Sequence, residues 1–120
     1  EVIMRFSKSL KLNHVFRKLY NRGQSSVTKY LVLYARPNRL SENRVGVTVG
    51  KKLGKAVVRN RVRRRMREIY RIHEEQFLPG YDIVVVVRSR AVDADFETLQ
   101  TAYLCAARKL GLLHGKDDEA

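Results

Sequence analysis

Cysteine is almost missing from this chain. Cys105 stands alone among 120 residues, so there is neither an intrachain disulfide nor a cysteine-built zinc site. A reducing, cytoplasmic setting is the expectation. Long apolar runs are missing as well: the longest aliphatic run, at 83–87, is strand-length, far short of the roughly 20 residues that cross a bilayer. No signal-peptide pattern opens the chain. Histidines are few. His14 and His114 are isolated, and His73-Glu74-Glu75 lacks the second histidine of a zinc-protease helix. No serine, cysteine or histidine constellation points to nucleophilic catalysis. Membrane protein, disulfide scaffold and zinc finger are excluded, and no catalytic residue or protein-borne metal site is expected.

Acidic residues are also scarce, 12 against 25 lysines and arginines, which leaves a net charge of +13. Such an excess usually meets a polyanion, because each neutralised phosphate releases condensed counterions. The charge is unevenly placed. Residues 1–50 carry +8, residues 51–71 carry +9, and residues 72–120 carry −4. A polyanion contact therefore belongs to the first 71 residues. With 44% hydrophobic residues the chain can bury a core, and its length fits one domain over 1–120. Residues 1–9 have no period and read as an extended, mobile arm. The stretch 114–120, with Asp117, Asp118 and Glu119, reads as a solvated tail.

Between these ends the pattern alternates. Asn13 is placed to cap a first helix running to about residue 22, stopped by Gly23. Val15, Phe16, Leu19 and Tyr20 share one of its faces. Residues 27–35 read as one strand, ended by Arg36-Pro37-Asn38. Val45, Val47 and Val49 alternate with Gly46, Thr48 and Gly50 as a half-buried strand. A basic loop, Lys51-Lys52-Leu53-Gly54, leads into a helix from 56 to about 73. Residues 81–88 read as a central strand covered on both faces, and either Asp93 or Asp95 caps a last helix ended by Gly111. The order α-β-β-α-β-α makes this an α+β fold (an α/β sandwich): a small central sheet packed with helices.

The second helix is unusual. Advancing about 100° per residue, Val58, Val62, Met66, Ile69, Tyr70 and Ile72 form an apolar arc. Asn60, Arg63, Arg64, Arg67 and Arg71 lie opposite, with Arg59 and Arg61 at the edges. Arg65 falls on the apolar side and must snorkel or find a partner. An ordinary solvated face mixes signs, since like charges four apart cost a few tenths of a kcal/mol each. Here Arg59–Arg63, Arg63–Arg67 and Arg67–Arg71 repeat that penalty, with Glu68 as partial relief. Arginine also suits bidentate phosphate recognition. A membrane surface fits less well, because the apolar face is needed for the core.

Aromatic residues accompany this charge. Phe16 and Tyr20 lie four apart beside Arg17 and Arg22, and Tyr34 alternates with Val32 on a strand. Such rings can stack single-stranded bases, at about 1–3 kcal/mol each. The competing reading is that Phe16 and Leu19 simply pack the core. Asp93, Asp95 and Glu97 could suggest a two-metal nuclease, but a helix N-terminus accounts for them. Cys105 reads as a buried structural thiol.

Four blocks of the chain, in order, resemble the protein subunit of bacterial ribonuclease P. They are Phe16-Arg17-Lys18-Leu19-Tyr20-Asn21-Arg22-Gly23, the stretch from Arg44 through Gly54, the Arg-Asn-Arg block from Gly54 through Arg64, and Tyr81-Asp82-Ile83-Val84. The resemblance implies a left-handed βαβ crossover around the basic helix, against the usual hand. It implies that an RNA subunit, with Mg²⁺ held mainly by RNA, removes the 5′ leader of precursor tRNA. The protein would bind that catalytic RNA through Lys51, Lys52, Arg59, Asn60, Arg61, Arg63, Arg64 and Arg67. It would grip the leader in a cleft at Phe16, Tyr20 and Tyr34, with no protein partner required. Tyr20 stands where relatives often have Phe, which keeps a stacking face. The acidic tail matches nothing in the family pattern. A structural RNA-binding protein, such as a ribosomal component, fits the charge equally well, and a self-sufficient nuclease much less.

Overall fold

The computed structural model describes residues 7–10 and 13–115, the side chains of residues 13 and 14 excepted. The expected cap at Asn13, the first part of the arm and the acidic tail therefore lie outside the described residues. Eight elements follow in chain order: β1 (Lys8–Ser9), α1 (Asn13–Arg22), β2 (Gln24–Val27), β3 (Leu31–Pro37), β4 (Arg44–Thr48), α2 (Ala56–Ile72), β5 (Tyr81–Val87) and α3 (Phe96–Lys109). The strands form one mixed sheet in the order β1-β4-β5-β3-β2. β4 and β5 are parallel neighbours joined through α2, while β3 runs antiparallel to β5. No helix of the described residues is long and apolar enough to cross a membrane.

The α+β expectation holds, with two changes in strand count. The arm contributes β1, whose Lys8 and Ser9 pair in parallel with Arg44 and Val45. The single strand expected over 27–35 is a hairpin. Nothing in that stretch breaks its β-branched and aromatic pattern, yet Thr28 turns the chain. Its hydroxyl accepts from the Leu31 N–H at 3.0 Å and the Tyr30 N–H at 3.2 Å, satisfying donors the ladder no longer serves. Pro37, expected to end the strand, is instead its last residue, opposite Tyr81.

β5 lies at the centre of the sheet, as expected, and its residues divide between two cores. On one side Leu31, Leu33, Ala35, Val45, Ile83, Val85 and Val87 pack against α2 and α3, through Val62, Met66, Ile69, Leu99, Tyr103 and Ala106. On the other side Val84 meets Leu10, Val15 and Leu19, so that α1 and the residue after β1 cover that face. Each fully buried aliphatic side chain contributes about 1.5–3 kcal/mol.

Polar groups close the ends. Asp95, rather than Asp93, caps α3 by accepting from the Thr98 N–H at 2.7 Å. That bond holds its carboxyl below the usual carboxylate range. Buried Asn43 ties three elements together. Its amide donates to the Tyr70 hydroxyl at 3.1 Å and the Leu78 carbonyl at 3.0 Å, and its carbonyl accepts from the Tyr81 N–H at 2.7 Å. Gly23 ends α1 for a reason other than left-handed backbone: a Cβ there would sit 2.7 Å from the Leu19 carbonyl oxygen and 3.1 Å from that of Ala35. The glycine lets α1 turn straight down onto β3.

Candidate nucleic-acid interface

Along β4 and β3, alternation turns Gly46, Thr48 and Tyr34 toward α1. The ring of Phe16 lies directly over Gly46, whose hypothetical Cβ would fall 2.9 Å from Phe16 Cζ and 2.9 Å from the Leu10 carbonyl oxygen. A side chain at 46 would lift the ring off the sheet. Phe16 meets Tyr20 edge-on at 6.5 Å between centroids, and Tyr20 meets Tyr34 at 5.0 Å. The Tyr20 hydroxyl shares a hydrogen bond of 3.1 Å with Thr48 Oγ1. The three aromatics expected to form a cleft are therefore brought together between α1 and the sheet.

The core alternative holds for Leu19, which is fully buried, and in part for Phe16. Phe16 and Tyr34 are partly buried against Val84 and its neighbours, whereas Tyr20 is 39% exposed. All three rings keep some exposed surface while packing against neighbours, which leaves area for stacking a base. Gly46 and Thr48 were not singled out from sequence. The only signal was the alternation of β4, which puts both on one face.

The arginines of α2 sit on the helix that packs against the other face of the sheet. α2 buries Val62, Met66, Ile69 and Tyr70. Ile72, placed in the apolar arc by the wheel, is 48% exposed, because it is the last residue of the helix and the core does not extend beneath it. Arg65 resolves its apolar position by donating to the Ala94 carbonyl at 3.1 Å. Arg59 donates to the Gly54 carbonyl, Arg63 to Asn60 Oδ1 at 3.0 Å, and Arg71 forms a two-pronged pair with Glu68. That pairing holds the Glu68 carboxyl below its ordinary range.

Arg61, Arg64 and Arg67 are exposed and make no hydrogen bond or ion pair with any described residue. Lys51 and Lys52 are likewise exposed, on a short 3₁₀ turn directly after β4. The same strand thus carries Thr48 beside the aromatic cluster and leads, three residues later, to the first of the basic residues.

Cys105 departs from its expectation, whereas Asp95 keeps to its own. Cys105 is only partly buried rather than sealed in the core. Asp93 lies in a 3₁₀ turn and Asp95 is spent on its cap. Among the described residues no three His, Cys, Asp or Glu side chains gather as a metal-ligand set.

Known proteins share this fold and much of this sequence. The family model described as Ribonuclease P matches residues 4–111. The ribonuclease P protein component of Natranaerobius thermophilus is 43% identical over 105 residues, covering 88% of this chain and 91% of the relative. That of Clostridioides difficile is 47% identical over 94 residues, covering 78% and 82%. Among solved structures, the RNase P protein of Staphylococcus aureus superposes with a TM-score of 0.82 at 30% identity, covering 88% of this chain and 97% of that one. The RNase P protein of Thermotoga maritima gives 0.77 at 31%, covering 90% and 99%. With one fold and matches along most of its length, the chain belongs to the ribonuclease P protein family.

Proposed function

We propose that this chain is the protein subunit of a ribonucleoprotein endoribonuclease that removes the 5′ leader from precursor tRNA. Its partners are ribonuclease P RNA and the precursor. Phosphodiester hydrolysis is the work of the RNA, and the protein contributes no catalytic residue. The reaction's Mg²⁺ is assigned to RNA phosphates, as the family resemblance implies.

One observation carries the reading: a half-open row of three aromatic rings on one face of the sheet, and unpaired arginines on the helix covering the other. Two different surfaces can engage two RNA segments at once. Arg59, Arg61, Arg63, Arg64 and Arg67, with Lys51 and Lys52, neutralise phosphates of the RNA subunit, and the Asn60 amide hydrogen-bonds to it. Phe16, Tyr20 and Tyr34 stack unpaired leader bases and so hold the precursor beside the catalytic RNA.

The test is cleavage of precursor tRNA at low magnesium by protein alone, cognate RNA alone, and both together. Strong cleavage at the mature 5′ end only in the mixture is expected. Phe16→Ala should weaken binding of leader-bearing precursor by about tenfold or more, as loss of one stacked base implies, and leave mature tRNA unaffected. Equal loss for both substrates removes the cleft assignment. Tight RNA binding with no gain in cleavage gives first place to a structural RNA-binding role.

A further inference from the structure

Beside the aromatic cleft, on the other flank of α1, lies a cavity of about 470 Å³. Val15 and Leu19 of α1 line it together with Lys18 of α1, Arg36 of β3, Arg39 of the following loop and Arg44 of β4, around Asp82 of β5. Lys18 lies roughly a third of a turn or more from Phe16 and Tyr20 round the helix, so the cavity and the cleft are separated by α1 itself. Strand alternation nevertheless sets Arg36 on the same sheet face as Tyr34, two residues away.

The charges in this cavity are not balanced. Asp82 is 7% exposed, and its oxygens are taken by Arg44, through Nε and a terminal nitrogen at 2.8 Å each, and by the Asn38 amide at 3.1 Å. Lys18, Arg36 and Arg39 make no hydrogen bond or ion pair with any described residue. Three cations thus face one cavity whose single carboxylate is already committed. Arg39 is also held in left-handed backbone at φ +64, a conformation that non-glycine residues adopt rarely. Asn38 supports that turn by accepting from the Leu40 N–H at 2.7 Å.

Such a concavity suits an anion. Cations lining a concavity attract phosphate more strongly than the same charges in open solvent, and guanidinium forks match phosphate oxygens. We propose that this cavity is a second phosphate-binding site, distinct from the aromatic cleft and from the basic helix, that holds the backbone of an RNA strand. The choice of RNA over a free anion rests on the proposed function, on the cavity's size, and on its position beside the cleft on the same sheet face. The strand comes either from the leader, continuing past the cleft, or from the RNA subunit.

The test compares wild type with the double variant Arg36→Gln/Arg39→Gln, and separately with Lys18→Gln on the helix surface. Arg44 is left intact because its pair with Asp82 is structural. Three probes are used: a labelled single-stranded RNA oligonucleotide with free protein, the isolated RNA subunit, and the holoenzyme with precursors of short and long leader. The double variant should bind the oligonucleotide about tenfold more weakly, and the slope of log K against log salt should shrink by about 0.7 for each single-strand phosphate no longer neutralised. Loss confined to long-leader precursors identifies the leader as the source, and loss with the isolated RNA identifies the subunit. Arg36→Lys should restore most of the slope, since charge is kept. Unchanged affinity and slope in all three probes, for a double variant or Lys18→Gln that melts like wild type, overturn the site. Failure of the proposed function would read differently: no gain in cleavage from wild-type protein, whatever the oligonucleotide does.

Discussion

Gly46 illustrates how one position can serve fold and function together. Its missing Cβ admits both the Leu10 carbonyl and the Phe16 ring, so the aromatic cluster rests on the sheet instead of above it. Gly46→Ala should cost about 1–3 kcal/mol, as overpacking does when backbone stands in the way. It should also weaken leader-bearing precursor relative to mature tRNA, with binding to the RNA subunit retained. Urea unfolding and parallel binding titrations check both parts. Wild-type stability with wild-type selectivity would mean that Phe16 needs no such seat. In the sequence, Gly46 was visible only as a small residue in an alternating strand. The aromatic residues themselves were legible, because their spacing on α1 put Phe16 and Tyr20 on one face, but the 5.0 Å meeting of Tyr20 with Tyr34 depends on how α1 crosses β3.

At the scale of the element, α2 carries arginines that bond within the chain and arginines that do not. Arg59, Arg63, Arg65 and Arg71 have partners within the chain, whereas Arg61, Arg64 and Arg67 have none among the described residues. Substituting any of the latter by Gln removes like-charge repulsion at little structural cost, so the melting temperature should hold or rise slightly. Affinity for ribonuclease P RNA should fall meanwhile, and its salt slope should shrink by about 0.7–0.9 for each phosphate left without its arginine. Thermal melts and salt-dependent titrations separate the two effects. A lowered melting temperature with an unchanged slope would make this face merely solvated. The helix was readable from its 3.6-residue period alone. The β2–β3 hairpin was not, because Thr28 turns the chain without the glycine or asparagine that usually marks such a turn.

For the whole molecule, the net charge of +13 acts against compactness while serving association. Salt should therefore push folding and RNA binding in opposite directions. Between about 0.05 M and 0.5 M monovalent salt, screening should stabilise the free protein by about 1 kcal/mol, which for a chain this size is a shift of roughly 4 °C. Over the same range the affinity for RNA should drop steeply. Calorimetry against titration at matched ionic strengths provides the comparison. A free protein that loses stability as salt rises would show that its ion pairs outweigh its self-repulsion.

The sequence by itself determined the helices, the central strand, the charged face of α2 and, through its ordered motif blocks, the family. These follow from spacing within a single element, where backbone geometry alone places the side chains. Tertiary structure decided that α1 takes one face of the sheet and α2 the other, that the arm supplies an edge strand, and that Asp82 is committed to Arg44 while Arg36 and Arg39 are not. Each of these depends on pairing between residues far apart in the chain. Periodicity carries no information about such pairing, which is set by how the elements exclude water together.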